Sequence, residues 1–234
     1  RIEFDGQNLA TANERHMQKV RGNRIAMIFQ EPMTALNPVF TIGWQLDEAL
    51  KMHTDLGRKE RRNKATEMLQ LVEMPNPVRR LDEYPHQLSG GMRQRVMIAM
   101  ALCCEPEILI ADEPTTALDV TIQAQILRLM ENLKERLGTA ILLITHDLGV
   151  VAQVCDRVVV MYAGQIVESA SVNDLFHSPQ HPYTRGLLDS LPKSGPKEHG
   201  KRLPAIPGIV PSLWNLPSGC RFHERCSKCE DRCR

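Results

Sequence analysis

The sequence predicts an α/β fold built on a parallel sheet, and two features indicate it. From Leu88 onward, segments with helical spacing of apolar residues alternate with short apolar runs, a pattern typical of parallel strands joined by crossover helices. One of these runs, Ile108–Ala111, leads directly into two acidic residues, and ligands of open α/β sheets bind at the carboxyl ends of strands. With 234 residues and 42% hydrophobic content, the chain is long enough for one large domain, or for one domain with a small appendage.

The elements follow from the spacing of apolar residues and from turn residues. A strand and turn are expected around Asp5-Gly6, and a hairpin strand over 165–168 after the Ala163-Gly164 turn. Ser171 is the predicted cap of a short helix, with Asp174 at the capping-box position. The other predicted strands are 25–29, 108–111, 140–145 and 157–162, and the predicted helices are 42–52, 59–72, 92–103, 120–137, 148–154 and 171–176.

Prolines interrupt the pattern twice. Pro75 and Pro77 end the second helical block, since proline removes a helical hydrogen bond and clashes with the preceding turn. Between residues 192 and 219 prolines recur so often that neither a regular helix nor a central strand fits. This segment is predicted to be an extended tail leading to a group of cysteines.

Charge and apolar runs argue against a nucleic-acid partner and against a membrane-spanning helix. The net charge is only +1, whereas nucleic-acid binders usually carry a clear basic excess, so no nucleic-acid partner is expected. No stretch reaches the ~18 to 20 consecutive apolar residues that a membrane-spanning helix needs.

The acids Asp112 and Glu113 follow the apolar run Ile108–Ala111. In nucleotide hydrolysis the first carboxylate of such a pair can hold Mg²⁺ through water, and the second can polarise the attacking water. A strand that merely ends in a solvated Asp-Glu pair is the alternative. Further motifs are needed to decide between the two.

A second motif, the signature segment Leu88-Ser89-Gly90-Gly91, precedes a predicted helix. A helix start offers free backbone N–H groups and a dipole that favours anions, so the segment is a candidate phosphate contact. A plain serine cap with a flexible turn is the alternative, but the acidic strand that follows favours the phosphate contact.

The order of these motifs resembles the ABC ATPase domain. The signature segment is followed by the acid-tipped strand, by Thr116-Ala117-Leu118-Asp119 and by a strand ending in Thr145-His146-Asp147. The resemblance implies a P-loop NTPase-type fold with a helical subdomain and a C-terminal Pro/Cys-rich tail. It implies ATP and Mg²⁺ as cofactors, with phosphate contacts at Ser89, Gly90 and Gly91.

Individual roles follow from the same resemblance. Gln30 matches the Q-loop glutamine, Asp112 the Walker B aspartate that binds Mg²⁺ and Glu113 the catalytic base. Asp119 matches the D-loop aspartate and His146 the switch histidine.

Three further stretches are similar to the ATPases of oligopeptide and dipeptide importers: Gln30–Pro38, His181–Arg185, and Leu203–Pro211 leading to Gly219–Cys226. The resemblance implies import of such peptides, or of related solutes such as nickel or glutathione, across the bacterial inner membrane. The implied partners are a second ABC ATPase subunit in a heterodimer, two transmembrane permease subunits and a periplasmic or extracellular solute-binding protein. The implied location is peripheral, on the cytoplasmic face of that membrane.

The phosphate-binding P-loop of this family is not found in the sequence. The only Gly-x-x-x-x-Gly-Lys match, Gly195–Lys201, continues with Arg202 in place of Ser or Thr and runs into prolines in place of a helix. Because the loop's amides and lysine hold the phosphates, the chain is expected to be N-terminally truncated and inactive in ATP hydrolysis by itself.

Four cysteines at the end of the chain, Cys220, Cys226, Cys229 and Cys233, form a candidate metal site. Such density favours a metal or an iron–sulfur cluster over disulfides in a cytosolic protein. A [4Fe-4S] cluster and zinc remain alternatives. By resemblance, Cys220, Cys226 and Cys233 match the cluster positions of some dipeptide-type members, whereas Cys229 does not.

The motifs divide the chain into four parts. These are a partial ATPase core with the Q-loop (1–41), a helical subdomain (42–87), a core with the signature, Walker B, D-loop and switch motifs (88–177), and a C-terminal extension (178–234). Two other functions are weighed: a non-transport ABC ATPase, and an iron–sulfur or zinc interaction module on a degenerate ATPase scaffold.

Overall fold

From residue 90 to residue 162, helices and short strands alternate along the chain, as the spacing of apolar residues predicts. The computed structural model describes residues 1–30, 35–116, 118–191 and 204–234. Its helices are α1 (Glu14–Val20), α2 (Ile42–His53), α3 (Arg58–Leu71), α4 (Pro77–Arg80), α5 (Gly90–Leu102), α6 (Val120–Leu137), α7 (Leu148–Val154), α8 (Val172–His177) and α9 (Pro182–Asp189). Its strands are β1 (Glu3–Phe4), β2 (Gln7–Asn8), β3 (Ile25–Ile28), β4 (Ile108–Asp112), β5 (Ala140–Ile144), β6 (Arg157–Tyr162) and β7 (Gln165–Ser171).

Small polar side chains set where several helices begin. Thr41 caps α2 by accepting the Trp44 N–H, and Ser171 caps α8 by accepting the Asp174 N–H. The predicted cap at Ser171 is therefore confirmed, and the Ser171 hydroxyl also donates to the Asp174 carboxylate over 2.7 Å. Each such cap satisfies a backbone donor that the helix itself leaves unpaired.

The structure also differs from the predicted elements. The predicted helix start at 92 is wrong, since α5 begins at Gly90 with Ser89 as its cap. The short helix α4 begins with Pro77, because proline is well suited to a first turn, where its missing N–H has no partner to lose. The hairpin strand β7 runs to Ser171 and not only to 168. Three of the described helices, α1, α4 and α9, were not predicted.

The chain divides into two units, residues 1–146 and 147–234, and each is described by itself. The first unit holds a sheet of three parallel strands in the order β3-β4-β5. Ile110 of β4 pairs with Met27 of β3 and with Leu142 of β5. The predicted α/β fold with a parallel sheet is therefore confirmed.

The core of the first unit lies between the sheet and its helices. Helices α2, α3 and α5 pack against one another, and α5 also packs on β3. Leu46, Met68, Ile98, Leu109 and Ile126 are almost completely buried. Burying one such side chain stabilises a fold by about 1.5–3 kcal/mol, so this core holds the strand ends that carry the candidate site.

The second unit is built on the antiparallel hairpin of β6 and β7. Tyr162 of β6 contacts the rings of Tyr183 and Phe222, at centroid distances of 4.7 Å and 5.1 Å. Arg225 donates hydrogen bonds to the Tyr162 hydroxyl and to the Pro207 carbonyl. These contacts attach the C-terminal segment to the hairpin.

Some predictions fall outside the described residues. They include residues 31–34 of the Gln30–Pro38 stretch, Ala117 of the D-loop motif, and residues 192–203 of the tail with the match at Gly195–Lys201. Residues 204–219 contain neither helix nor strand. Within the part of the chain that the structure describes, no helix is both long and apolar enough to cross a membrane.

Candidate functional site

The three parallel strands bring their carboxyl ends to one edge of the sheet. Gln30 lies shortly after β3, Glu113 directly after β4, and His146 shortly after β5. Because β4 is the middle strand, the residue that follows it can meet residues from both neighbours. The strand order thus predicts that Glu113 is the meeting point of the three.

The carboxylate of Glu113 is held by three side chains. Gln30 Nε2 donates to Glu113 Oε2 over 2.7 Å, and the Thr116 hydroxyl donates to the same oxygen over 2.8 Å. His146 Nδ1 lies 3.0 Å from Oε1. The structure therefore brings together three residues predicted from the sequence, Gln30, Glu113 and His146, and adds Thr116.

The backbone at Glu113 has an unusual conformation. Its φ is +44°, in the left-handed region that costs a residue other than glycine about 1 kcal/mol or more. The Glu113 N–H donates to the Ile144 carbonyl at 2.9 Å, and the Glu113 carbonyl accepts the Thr116 N–H at 3.1 Å. These two bonds fix the turn that carries the Glu113 carboxylate.

The surroundings of Glu113 favour its charged form. The hydrogen bond with His146 is the largest cause that lowers the pKa of Glu113, and the Thr116 hydrogen bond is the next. Its side chain is 22% exposed, and that of His146 is 78% exposed. An oriented, ionised carboxylate that water can reach is suited to accept a proton from that water.

Asp112 is the last residue of β4 and is half-buried. Its carboxylate has no hydrogen-bond or ion-pair partner among the described residues. Mg²⁺ is commonly bound through one or two carboxylates while it keeps several waters. A free carboxylate beside Glu113 at the sheet edge therefore fits a magnesium ion.

The signature segment lies at the start of α5. The Ser89 hydroxyl accepts the Met92 N–H over a long 3.4 Å, and Ser89 and Gly90 are exposed. Within the described ranges, no hydrogen bond joins Ser89 to Glu113 or His146. The structure thus presents this helix start to solvent as a group separate from the carboxylate cluster.

Asp119 precedes α6 and caps it. Its carboxylate oxygen accepts the Ile122 N–H over 2.9 Å, and its carbonyl accepts the Gln123 N–H over 2.8 Å. The side chain that the sequence assigns to the D-loop therefore has a local role in starting the helix.

Comparison with known proteins identifies the family. A family model described as "ABC transporter" matches residues 1–116, and one described as "Oligopeptide/dipeptide transporter, C-terminal region" matches residues 167–233. The chain is 62% identical over 227 residues to the probable peptide ABC transporter ATP-binding protein y4tR of Sinorhizobium fredii, covering 96% of this chain and 67% of that protein. The chain belongs to the ATP-binding proteins of peptide ABC transporters.

Two more relatives in this family are similar along nearly the whole chain. The oligopeptide transport ATP-binding protein AppD of Bacillus subtilis is 56% identical, with 99% of this chain and 70% of that protein covered. The dipeptide transport ATP-binding protein DppD of Escherichia coli is 50% identical, with 100% of this chain and 71% of that protein covered.

Solved structures of ABC cassettes confirm the fold. The dimeric ATP-binding cassette MJ0796 in a post-hydrolysis state with ADP and phosphate matches with a TM-score of 0.64 at 30% identity, over 72% of each chain. The cassette cbiO1 from Clostridium perfringens, part of the transporter complex cbiONQ, matches with a TM-score of 0.65 at 27% identity, over 76% of this chain and 68% of that one. The predictions of an ABC transporter ATPase and of its fold class are confirmed, and this class of protein hydrolyses ATP.

The predicted metal site in the C-terminal region of this ABC protein is not supported. Among the described residues, no group of three or more His, Cys, Asp or Glu side chains is placed to hold a metal ion. Cys220 and Cys233 are joined through their backbones, whereas the Cys229 thiol contacts the carbonyl of its neighbour Glu230 at 3.7 Å. Zinc or a [4Fe-4S] cluster needs several thiolates around one centre, and Cys220, Cys226, Cys229 and Cys233 do not form such a donor set here.

Sequence reasoning missed one member of this ABC site, Thr116. A threonine three residues after an acid in a proline-containing turn was the available signal, because Thr116 reaches back to Glu113 through both its backbone N–H and its hydroxyl.

Proposed function

We propose that this chain contributes the catalytic carboxylate to the ATP-binding subunit of an importer for oligopeptides or dipeptides. The observation that carries the proposal is the convergence of Gln30, Thr116 and His146 on the Glu113 carboxylate. The match of residues 167–233 to the C-terminal region of oligopeptide and dipeptide transporters supports peptides as the solute.

Each side chain of the site has a proposed step in hydrolysis. Glu113 accepts a proton from the water that attacks the γ-phosphate, so that ATP and water give ADP and phosphate. His146 and Gln30 orient the Glu113 carboxylate through the hydrogen bonds described above, and Gln30 transmits the state of the site to the permease. Asp112 would hold Mg²⁺ through water, and a bound Mg²⁺ would supply positive charge to offset that of the phosphates.

The signature segment serves a second subunit in this proposal. The exposed Ser89 and Gly90, with the half-buried Gly91, contact the phosphates of ATP held by a partner ATPase, since a helix start stabilises an anion. Asp119 lies in the D-loop beside that contact. The partner is a related ABC subunit in a heterodimer, which leaves each chain able to complete the other's site.

The remaining partners are two transmembrane permease subunits and a solute-binding protein outside the membrane. The helical subdomain 42–87 contacts the permease, and the complex places this chain peripherally on the cytoplasmic face of the inner membrane. The C-terminal extension (178–234) follows the ATPase core of residues 1–41 and 88–177. The alternatives, a non-transport ABC ATPase or a metal-binding interaction module, are not favoured, because the relatives described above are named as peptide transport proteins.

Uptake by the reconstituted transporter tests this function. We expect ATP-dependent accumulation of labelled di- and oligopeptides in vesicles, and loss of that accumulation in Glu113→Gln. Accumulation of nickel or glutathione without peptides would contradict the proposed solute. Peptide uptake that continues in Glu113→Gln would contradict the proposed role of this carboxylate.

Phosphate release from ATP by this 234-residue chain alone is a separate test. We expect none, because the sequence contains no Gly-x-x-x-x-Gly-Lys-Ser/Thr segment to hold the phosphates. Sustained release by the purified chain, above a Glu113→Gln control, would contradict this expectation.

A further inference from the structure

Ile122, on the first turn of α6, lies against Gly91 on the first turn of α5. A methyl group on the Cα of Gly91 would lie 2.9 Å from Ile122 Cγ2 and 3.7 Å from its Cδ1. Carbon atoms in proteins pack at about 3.5–4.0 Å, so only glycine allows this approach. The absence of a side chain at position 91 is therefore required within this chain, before any phosphate is considered.

The neighbouring glycine is different. A methyl group at Gly90 would lie 4.0 Å from Leu118 Cδ2, which is an ordinary van der Waals contact. Leu118 and Ile122 are half-buried and pack on the hydrophobic core of the first unit. Of the two signature glycines, only Gly91 therefore has a steric requirement for glycine, and Ile122 imposes it.

The backbone of Ile122 is fixed at the same point. Its N–H is the group that the Asp119 carboxylate accepts, at 2.9 Å. One residue is therefore held by the proposed D-loop aspartate through its amide and by the signature helix through its side chain. A displacement of Asp119 would move Ile122, and Ile122 contacts the helix turn that carries Gly91.

We propose that Ile122 is a positioning residue that sets the place of the signature segment relative to Asp119. The inference rests on the proposed function, in which Ser89, Gly90 and Gly91 contact the phosphates of a partner's ATP. Glycine is required at position 91 so that α5 can pack against Ile122. This packing sets the position of the Ser89–Gly91 turn.

Rescue of one substitution by another tests the proposal. Gly91→Ala is expected to lower kcat for ATP hydrolysis in the assembled transporter by about tenfold or more. Adding Ile122→Ala removes Cγ2 and makes room for the new methyl group, so the double variant should recover most of that loss. Ile122→Val is the matched control: it keeps Cγ2, the atom at 2.9 Å, and the Gly91→Ala/Ile122→Val variant should recover nothing.

The outcomes are separable. A Gly91→Ala/Ile122→Ala variant as slow as Gly91→Ala would overturn the proposal, as would equal recovery with valine and alanine. Thermal unfolding of the same variants without nucleotide measures the contact itself: alanine at 122, and not valine, should restore the midpoint lowered by Gly91→Ala. An inactive wild-type transporter would contradict the proposed function, whereas absence of this unfolding pattern would contradict the role of Ile122.

Discussion

The Nδ1 atom of His146 lies 3.0 Å from Oε1 of Glu113, across the ends of two paired parallel strands. The residues are far apart in sequence, and the pairing of β4 with β5, from Ile108 with Ala140 to Asp112 with Ile144, brings them together. The contact therefore links the sheet topology directly to the state of the carboxylate.

Replacing Glu113 by glutamine should remove the proton acceptor while leaving its hydrogen-bonding shape nearly intact. We expect the rate of phosphate release by the transporter to fall by about 10²- to 10⁴-fold, with ATP binding retained. The matched control is Glu107→Gln, whose carboxylate forms an exposed pair with Arg24 that contributes little. A Glu113→Gln transporter with near-normal turnover would show that another group accepts the proton.

The pH dependence of turnover should change when the side chains that contact Glu113 are replaced. Its pKa is lowered first by His146, then by Thr116, and least by the hydrogen bond from Gln30. Removing a donor raises the pKa, so the carboxylate becomes protonated at higher pH and the acid limb of the kcat profile moves upward. We expect the shift to decrease in the order His146→Ala, Thr116→Val, Gln30→Ala.

Measurement of kcat from pH 4 to pH 8 distinguishes these variants. An acid limb that stays in place in all three, or that moves to lower pH, would be inconsistent with Glu113 as the titrating base.

Leu46 should be among the most important residues for stability in the first unit. It is fully buried on α2, whereas Met52 on the same helix is 73% exposed. Leu46→Ala should lower the free energy of unfolding by about 2–5 kcal/mol, and Met52→Ala by less than about 0.5 kcal/mol. Urea denaturation compares the two, and equal effects would mean that α2 does not pack through this face.

Glu168 should make the second unit sensitive to acid. Burial by itself raises the pKa of Glu168, but backbone N–H groups, first that of Gln180, outweigh it, and the pKa is lowered. A lowered carboxyl pKa stabilises the fold above the unfolded-state value of about 4.3, and this stabilisation is lost as the pH falls through the folded-state pKa.

Glu168→Gln should therefore lower the free energy of unfolding at pH 7 by about 1 kcal/mol, since the group is half-buried and solvent still screens part of its charge. The difference from wild type should shrink as the pH falls below about 4.3. Urea denaturation at pH 7, 5 and 3.5 measures it, with Glu224→Gln on the exposed surface as the control, expected to change stability by less than about 0.5 kcal/mol. A difference that grows toward low pH would contradict the sign of the shift.

The local spacing of apolar residues predicted much of the secondary structure. The limits of α6 and β6 agree with the predicted 120–137 and 157–162, because long amphipathic or bounded apolar runs have an unambiguous period. Helix α1 was missed because it is short and buries only Val20, so its sequence has little apolar periodicity.

The sequence predicted which residues form the candidate site better than it predicted how they contact one another. Gln30, Glu113 and His146 were recognised from motif order, but the contacts among them depend on β4 being central, which no local pattern specifies. Thr116 and Ile122 act through a turn and a close approach of two helices, and both depend on tertiary structure. For the cysteine tail, spacing alone predicted a donor set that the described residues do not support.

Buried and half-buried side chains alternate along β4, and this alternation restricts the register of the strand that ends at the candidate site. Leu109 and Ala111 face the core, while Ile108, Ile110 and Asp112 are only half-buried. A slippage of this strand by one residue would turn every side chain to the other face and force the Asp112 carboxylate into an apolar interior, at a large free-energy cost. Asp112, whose carboxylate fits a metal ion, therefore also disfavours a shifted register of β4. One of the two carboxylates at the end of the strand thus helps to hold the strand in its register.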